Sequence, residues 1–322
     1  MKKIYKKSIL YVVLILLLLE ILIRVFYLTK DYPTRYVDKY KVEKWKPNQV
    51  GYSVTGLRRQ NFSEYRINSS GFNSYREYKP LENKLELALV GDSYIEGFHQ
   101  HYYNSIGKKI EKKTEGLEVY EFGYAGYDLA DQLHLIHQYK STFDLIDHVV
   151  VSFNYKYDLE RDKYNVLEHR MRLESPFYKV LQKSKLLVYL QKNGMFDAPR
   201  NLVASFFKKS KSKTDQSDKS SLINKAINKE LELKKNTYNF EMLVDKYGFD
   251  KSRFIFLLDS SKTPQKFLRY LGENGFRYID FYKVLQQSTK PTTLIYDMHW
   301  NNHGRDLIAD LIVDFYKPIL IK

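Results

Sequence analysis

Two short segments, far apart in the chain, hold the side chains that nucleophilic chemistry needs. The first is Gly91-Asp92-Ser93. The apolar run Leu85–Val90 stops there, so the serine falls where a strand ends and a helix begins. Its hydroxyl is then exposed and its backbone N–H points the same way. The second is Asp297-Met298-His299-Trp300, ahead of a closing helix. A serine hydroxyl is a weak nucleophile until a base takes its proton, and an imidazole base needs an acceptor that fixes its tautomer. Asp297 is two residues from His299, so one loop can supply both. Each segment also has a plain alternative, because Asp92, Ser93, Asp297 or His299 could simply cap a helix. The tripeptide Gly-Asp-Ser alone says little, since chance supplies it in roughly one chain in ten of this length.

Two further positions suit an oxyanion site. Gly126, in Phe122-Gly123-Tyr124-Ala125-Gly126, follows a second apolar run, and a glycine lets a backbone N–H approach an anion closely. Asn154 follows a third run, Val149–Phe153, and offers a side-chain donor. A plain strand–helix turn is the alternative for Gly126. His99, His101 and His303 lie near these segments, but no carboxylate is obvious beside them, so neither metal nor cofactor is expected.

The elements that must carry these residues alternate. Strands are expected at Leu85–Val90, Leu117–Phe122, Val149–Phe153, Phe254–Leu258 and Tyr278–Phe281. Helices are expected at Ser105–Thr114, Leu129–Tyr139 and His303–Tyr316; in the last, Leu307, Ile308, Leu311, Ile312 and Phe315 share a face. This alternation implies an α/β fold with a parallel sheet. About a hundred residues separate the third and fourth strands. They read as an insertion at about 160–250, with one helix over Pro176–Gln191 and a polar loop or linker, KKSKSKTDQSDK, at 208–219. Its lysines read as a solvated face. Residues 31–80 read as an extended lead-in packed on the main domain, 81–322.

The 322 residues include 53 Lys and Arg against 38 Asp and Glu, a formal charge of +15, and no cysteine. The cysteine count excludes disulfides, thiolate metal sites and a cysteine nucleophile. The charge suggests anionic surroundings. Residues 1–30 decide which. Lys2, Lys3, Lys6 and Lys7 precede the apolar stretch Ile9–Leu28, broken only by Glu20 and Arg24 at helical spacing. Twenty residues make about 30 Å of helix, the depth of a bilayer core. No Ala precedes Ala88, and no Gly or Ser lies between Ile9 and Gln49, which disfavours a cleaved signal peptide. The expectation is a single anchor, N-terminus in the cytoplasm and the rest outside, with no nucleic-acid partner.

The four blocks GDSYIEGF (91–98), EFGYAGYD (121–128), VVVSFNYKYD (149–158) and DMHWNNHG (297–304) together resemble the SGNH, or GDSL, hydrolases. The segment RINSSGFNSYRE (66–77) is similar to the lead-in of anchored members. The resemblance covers about Tyr65 to the C-terminus apart from the insertion. It implies a three-layer α/β/α fold with a mostly parallel, flavodoxin-like five-stranded sheet. It also implies Ser93 as nucleophile, His299 as general base and Asp297 as its orienting partner. The N–H groups of Ser93 and Gly126 and the side chain of Asn154 would form the oxyanion hole. The chain departs from the pattern in three places. Asp-x-His replaces the commoner Asp-x-x-His, which resembles the membrane-associated polysaccharide acetyltransferase branch. Glu121 stands where Asn is usual, and Asn154 precedes Asp158 by four residues rather than one. The reading is a membrane-anchored esterase that removes acyl groups, such as acetyl, from an extracytoplasmic glycan or lipid. An O-acyltransferase, or a glycan-binding protein on a decayed hydrolase fold, are the alternatives.

Overall fold

The structure is a computed structural model, describing residues 2–56, 59–81, 84–195 and 218–320. The chain opens with a helix, Lys2–Val25, exposed along nearly all its length. Its stretch Ile4–Val25 is apolar enough to cross a membrane. Two antiparallel hairpins follow, β1 (Arg35–Val37) with β2 (Glu43–Trp45) and β3 (Val50–Thr55) with β4 (Asn61–Arg66). The lead-in is thus folded rather than merely extended. It lays Trp45, Tyr65, Ile67 and Phe72 into the main core.

The central sheet contains β5 (Leu85–Gly91), β6 (Leu117–Gly123), β7 (His148–Phe153), β8 (Phe254–Leu258) and β9 (Tyr278–Asp280). All pairs are parallel, in the order β6-β5-β7-β8-β9. This is the doubly wound 2-1-3-4-5 order, and the chain reverses direction across the sheet at β5. Apolar residues occupy both faces, because helices cover both. Leu87, Leu89, Val150, Ile255 and Leu257 pack on the helices Ile106–Lys113 and Asn302–Leu320. Ala88, Val90, Val149, Val151 and Phe256 face the opposite layer. That layer includes the helix Leu129–Gln138, and Phe240 and Leu243 of the long helix Asp218–Tyr247. The result is a three-layer α/β/α fold.

Two local expectations are corrected, and a third falls largely outside the described residues. Pro176–Gln191 is two helices, Pro176–Lys183 and Lys185–Lys192. Ser184 breaks them, with ψ 108° and a hydroxyl that accepts from the Leu187 N–H. The polar stretch 208–219 lies outside the described residues except for Asp218 and Lys219, which open the long helix. The segment carrying Asp297 and His299 is a strand, β11 (Asp297–Trp300), paired antiparallel with β10 (Thr293–Leu294).

Candidate active site

All the singled-out residues come after strand carboxyl ends, where open α/β sheets bind ligands. Ser93 follows β5, Gly126 follows β6, Asn154 follows β7, and the β10–β11 hairpin follows β9. Asp92 is the helix cap, its carboxylate accepting from the Tyr94 N–H at 2.9 Å. This leaves the Ser93 hydroxyl free for other work. Its Oγ lies 2.7 Å from His299 Nε2. His299 Nδ1 is hydrogen-bonded to Asp297 Oδ1, which also accepts from the His299 backbone N–H at 3.0 Å. Neither Asp297 nor His299 caps the last helix; there Asn301 Oδ1 accepts from the Gly304 N–H. With Asp297 bound to Nδ1, the free lone pair of His299 points at Ser93, the geometry of a nucleophile and its base.

Burial pushes the Asp297 carboxyl up, but hydrogen bonds from His299 and the fields of His299 and His99 outweigh it, and the carboxyl is held below its ordinary range. The sequence shows no carboxylate beside His99. The fold supplies one: His99 Nε2 lies 3.1 Å from Asp297 Oδ2, and its ring stacks on His299 with centroids 4.0 Å apart. Burial, then the neighbouring His299, pushes His99 down to about 3, so it is neutral and its Nε2–H donates. His99, Asp297 and His299 bring ligand atoms within 4.8 Å of one another, a spacing that a cation would fit. Both nitrogens of His299 already serve Ser93 and Asp297, so a bound cation and a proton-relaying triad would exclude each other.

The loop after β6 approaches the nucleophile closely. A β-carbon at Gly123 would overlap the backbone N of Glu96, so only glycine fits. Gly126 has φ +89°, a left-handed conformation, and its carbonyl accepts from Arg170 Nη2. The Ala125 N–H donates to Glu96 at 3.1 Å. The N–H groups of Ser93 and Gly126 have no acceptor among the described residues. Asn154 caps the helix Tyr155–Asp158, its Oδ1 accepting from the Lys156 N–H at 3.2 Å. Its Nδ2 donates to no described residue, so the cap leaves an N–H pair unused. Asp158 does not compete for this place, for it is buried with its Oδ2 accepting from the Asn154 backbone N–H.

Beneath the site lie three buried charges, of which the sequence marks only Glu121 as unusual. Glu96 is buried and accepts from Trp45 Nε1 at 2.7 Å; burial raises it to about 7. Glu121, in the place where Asn is usual, is buried and accepts from the Gly107 N–H, away from any oxyanion position. Arg305 is fully buried. Its Nη1 donates to the Tyr94 carbonyl at 3.1 Å and its Nε to the Trp300 carbonyl at 3.3 Å, tying the nucleophile helix to β11. Burial lowers its guanidinium to about 10, which still leaves it charged at neutral pH. Charged residues read from sequence as surface; only their spacing from Ser93 and His299 could have drawn notice to Glu96 and Arg305.

No family model and no curated protein sequence matches the chain. Solved structures similar to it in fold are lipases, esterases and acylhydrolases. A lipase/acylhydrolase from Enterococcus faecalis is 16% identical, with a TM-score of 0.39, covering 73% of this chain and 96% of that one. A psychrotrophic esterase from Pseudoalteromonas sp. is 11% identical at a TM-score of 0.39, covering 74% and 99%. A carbohydrate acetylesterase family member from Sinorhizobium meliloti is 10% identical at 0.36, covering 74% and 100%.

Proposed function

We propose that the chain is a serine carboxylic-ester hydrolase of the SGNH type. In this reading it is held by its N-terminal helix with the N-terminus in the cytoplasm. The site then faces outward and acts on acylated glycan or lipid. The observation that carries the chemistry is the Ser93–His299–Asp297 relay, with Oγ and Nε2 2.7 Å apart.

The steps follow from that relay. Ser93 Oγ attacks the ester carbonyl carbon while its proton passes to His299 Nε2. Asp297 holds Nδ1 and stabilises the imidazolium. The N–H groups of Ser93 and Gly126, with Asn154 Nδ2, receive the tetrahedral oxyanion. The C–O bond to the alcohol breaks, His299 protonates that alcohol, and the acyl group stays on Ser93. Water, deprotonated by His299, then releases the carboxylate and restores the serine.

The test is hydrolysis of p-nitrophenyl acetate by the full-length protein in detergent, with Ser93→Ala and His299→Ala for comparison. Loss by a factor of about 10³ or more in both variants, with loss of fluorophosphonate labelling in Ser93→Ala, is expected. Acyl transfer to an added glycan in place of water would make the protein a transferase through the same acyl-enzyme. A folded wild type with neither turnover nor labelling would overturn the serine-hydrolase reading in favour of a binding protein.

A further inference from the structure

Glu20 and Arg24 are the two charges that interrupt the apolar N-terminal helix, and both point at the segment between β7 and β8. Glu20 accepts from the N–H groups of Lys185 and Leu186, at 2.9 and 2.7 Å, and from the Ser184 hydroxyl at 3.1 Å. Arg24 donates to the Lys183 carbonyl at 2.5 Å and to Glu20 at 2.7 Å. The acid thus closes the start of Lys185–Lys192, where a helix dipole favours an anion. The cation closes the end of Pro176–Lys183, where it favours a cation. The corner between the two short helices is clasped to the anchor helix about one turn before the anchor ends.

This clasp sets the height of the two helices relative to a membrane. The outward side of the first, Pro176–Lys183, is apolar. Phe177 and Val180, at i and i+3, are 70% and 64% exposed, and Leu173 precedes them. Lys183, beside the clasp, is exposed and forms no ion pair among the described residues. The anchor's end carries the aromatic groups typical of an interface: Tyr27 packs edge-on against Tyr52 at 4.8 Å, with Arg59 over its ring.

We infer that the helices Pro176–Lys183 and Lys185–Lys192 lie on the lipid surface beside the anchor, with Phe177 and Val180 sunk into the headgroup–acyl boundary. This rests on the anchored reading of the N-terminal helix. The occupant is the bilayer itself. The clasp ties the end of the helix that carries this apolar face to the spanning helix, and the exposed Lys183 suits anionic headgroups. The charge-free part of the anchor then runs only from Ser8 to Leu19, about 18 Å of helix against roughly 30 Å of hydrocarbon, and Lys6 and Lys7 ahead of it snorkel to the far interface. A pair of helices sunk beside it makes up the shortfall locally. Glu20 and Arg24 sit at the boundary, where their hydrogen bonds are to protein.

The chain has no cysteine, so single cysteines can be placed and labelled cleanly. Full-length protein carrying Phe177→Cys, Val180→Cys, Leu14→Cys or Glu115→Cys is spin-labelled in vesicles of phosphatidylcholine and phosphatidylglycerol at 3:1. Collisions with oxygen and with an aqueous nickel complex give each label's depth. The expected result is Leu14 deep, Glu115 in water, and positions 177 and 180 at the boundary, about 0–10 Å inside the phosphates. Labels at 177 and 180 as wet as the one at 115, with Leu14 deep, would overturn the lipid seat and leave the anchor standing. A water-exposed label at 14 would overturn the anchor and the seat together.

Discussion

His99 Nε2 lies 3.1 Å from Asp297 Oδ2, the carboxylate oxygen that His299 leaves free. The two imidazoles therefore grip one carboxylate from both oxygens while stacked face to face. In the proposed mechanism His99 is a positioning residue. It holds the orientation of Asp297 without reaching Ser93. Because burial keeps it neutral, it does so without opposing the positive charge that His299 takes up in each turnover.

Replacing His99 with Ala removes one hydrogen bond to a charged group, worth about 1.5–3 kcal/mol. The expected loss in kcat is ten- to a hundredfold, with KM little changed. His99→Gln, which retains an N–H donor, is expected to recover most of it. Steady-state kinetics of the two variants check this; equal losses in both would remove the positioning role.

Asn154→Asp keeps the oxygen that caps Tyr155–Asp158 but has no N–H to offer an oxyanion. A fall in kcat of about 10²–10³ is expected, with the melting temperature held within a few degrees. Kinetics and a thermal melt on the same preparation distinguish this from simple unfolding.

Arg305 spans the Tyr94 and Trp300 carbonyls with two different nitrogens. Arg305→Lys retains the charge but reaches only one of them. The expected outcome is a loss of about 1–3 kcal/mol of stability, for one buried carbonyl left without a donor. A fall in kcat exceeding any change in KM should accompany it, because the nucleophile helix and β11 lose their common tie. Chemical denaturation and steady-state kinetics measure the two effects.

Burial of Glu96 contributes one part of the pH dependence of stability. Its carboxyl is raised from an ordinary 4.5 to about 7, so the folded state binds a proton that the unfolded chain has released between those values. Its contribution is complete below about pH 4.5 and is lost as pH rises through about 7. Glu96→Gln is neutral throughout and can still accept from Trp45 and Ala125. The wild-type stability should fall from pH 5 to 7.5 by more than that of the variant, by an amount on the order of 3 kcal/mol. Urea unfolding at the two pH values checks the difference; parallel curves would refute it.

The sheet was legible because each strand is a short, mostly apolar run, as strands buried on both faces are. Ser93, Gly126 and Asn154 were legible because they follow those runs, and Asp297 and His299 because they sit two apart just ahead of the closing helix. What escaped was set by contacts distant in the chain. The helix break at Ser184 depends on Glu20, more than 160 residues earlier. The partnership of His99 with Asp297 needs the last hairpin folded over the first turn. Glu96, Glu121 and Arg305 are buried through one another's surroundings, and no local pattern marks a charge as interior.

Asp297 and His299 stand on a strand, not in an irregular loop. Side chains two apart on a strand share a face, and the one between points elsewhere. The pairing of Asp297 with His299 is thus a matter of parity. Met298 is 74% exposed and turned away from the relay, so this position is open to change. One residue added or removed between 297 and 299 would send one partner to the opposite face, whatever the chemistry of the residue. The Asp-x-His spacing is not a shortened Asp-x-x-His. An even spacing belongs to a strand and an odd one to a turn, so a change from one to the other requires the backbone and the spacing to change together.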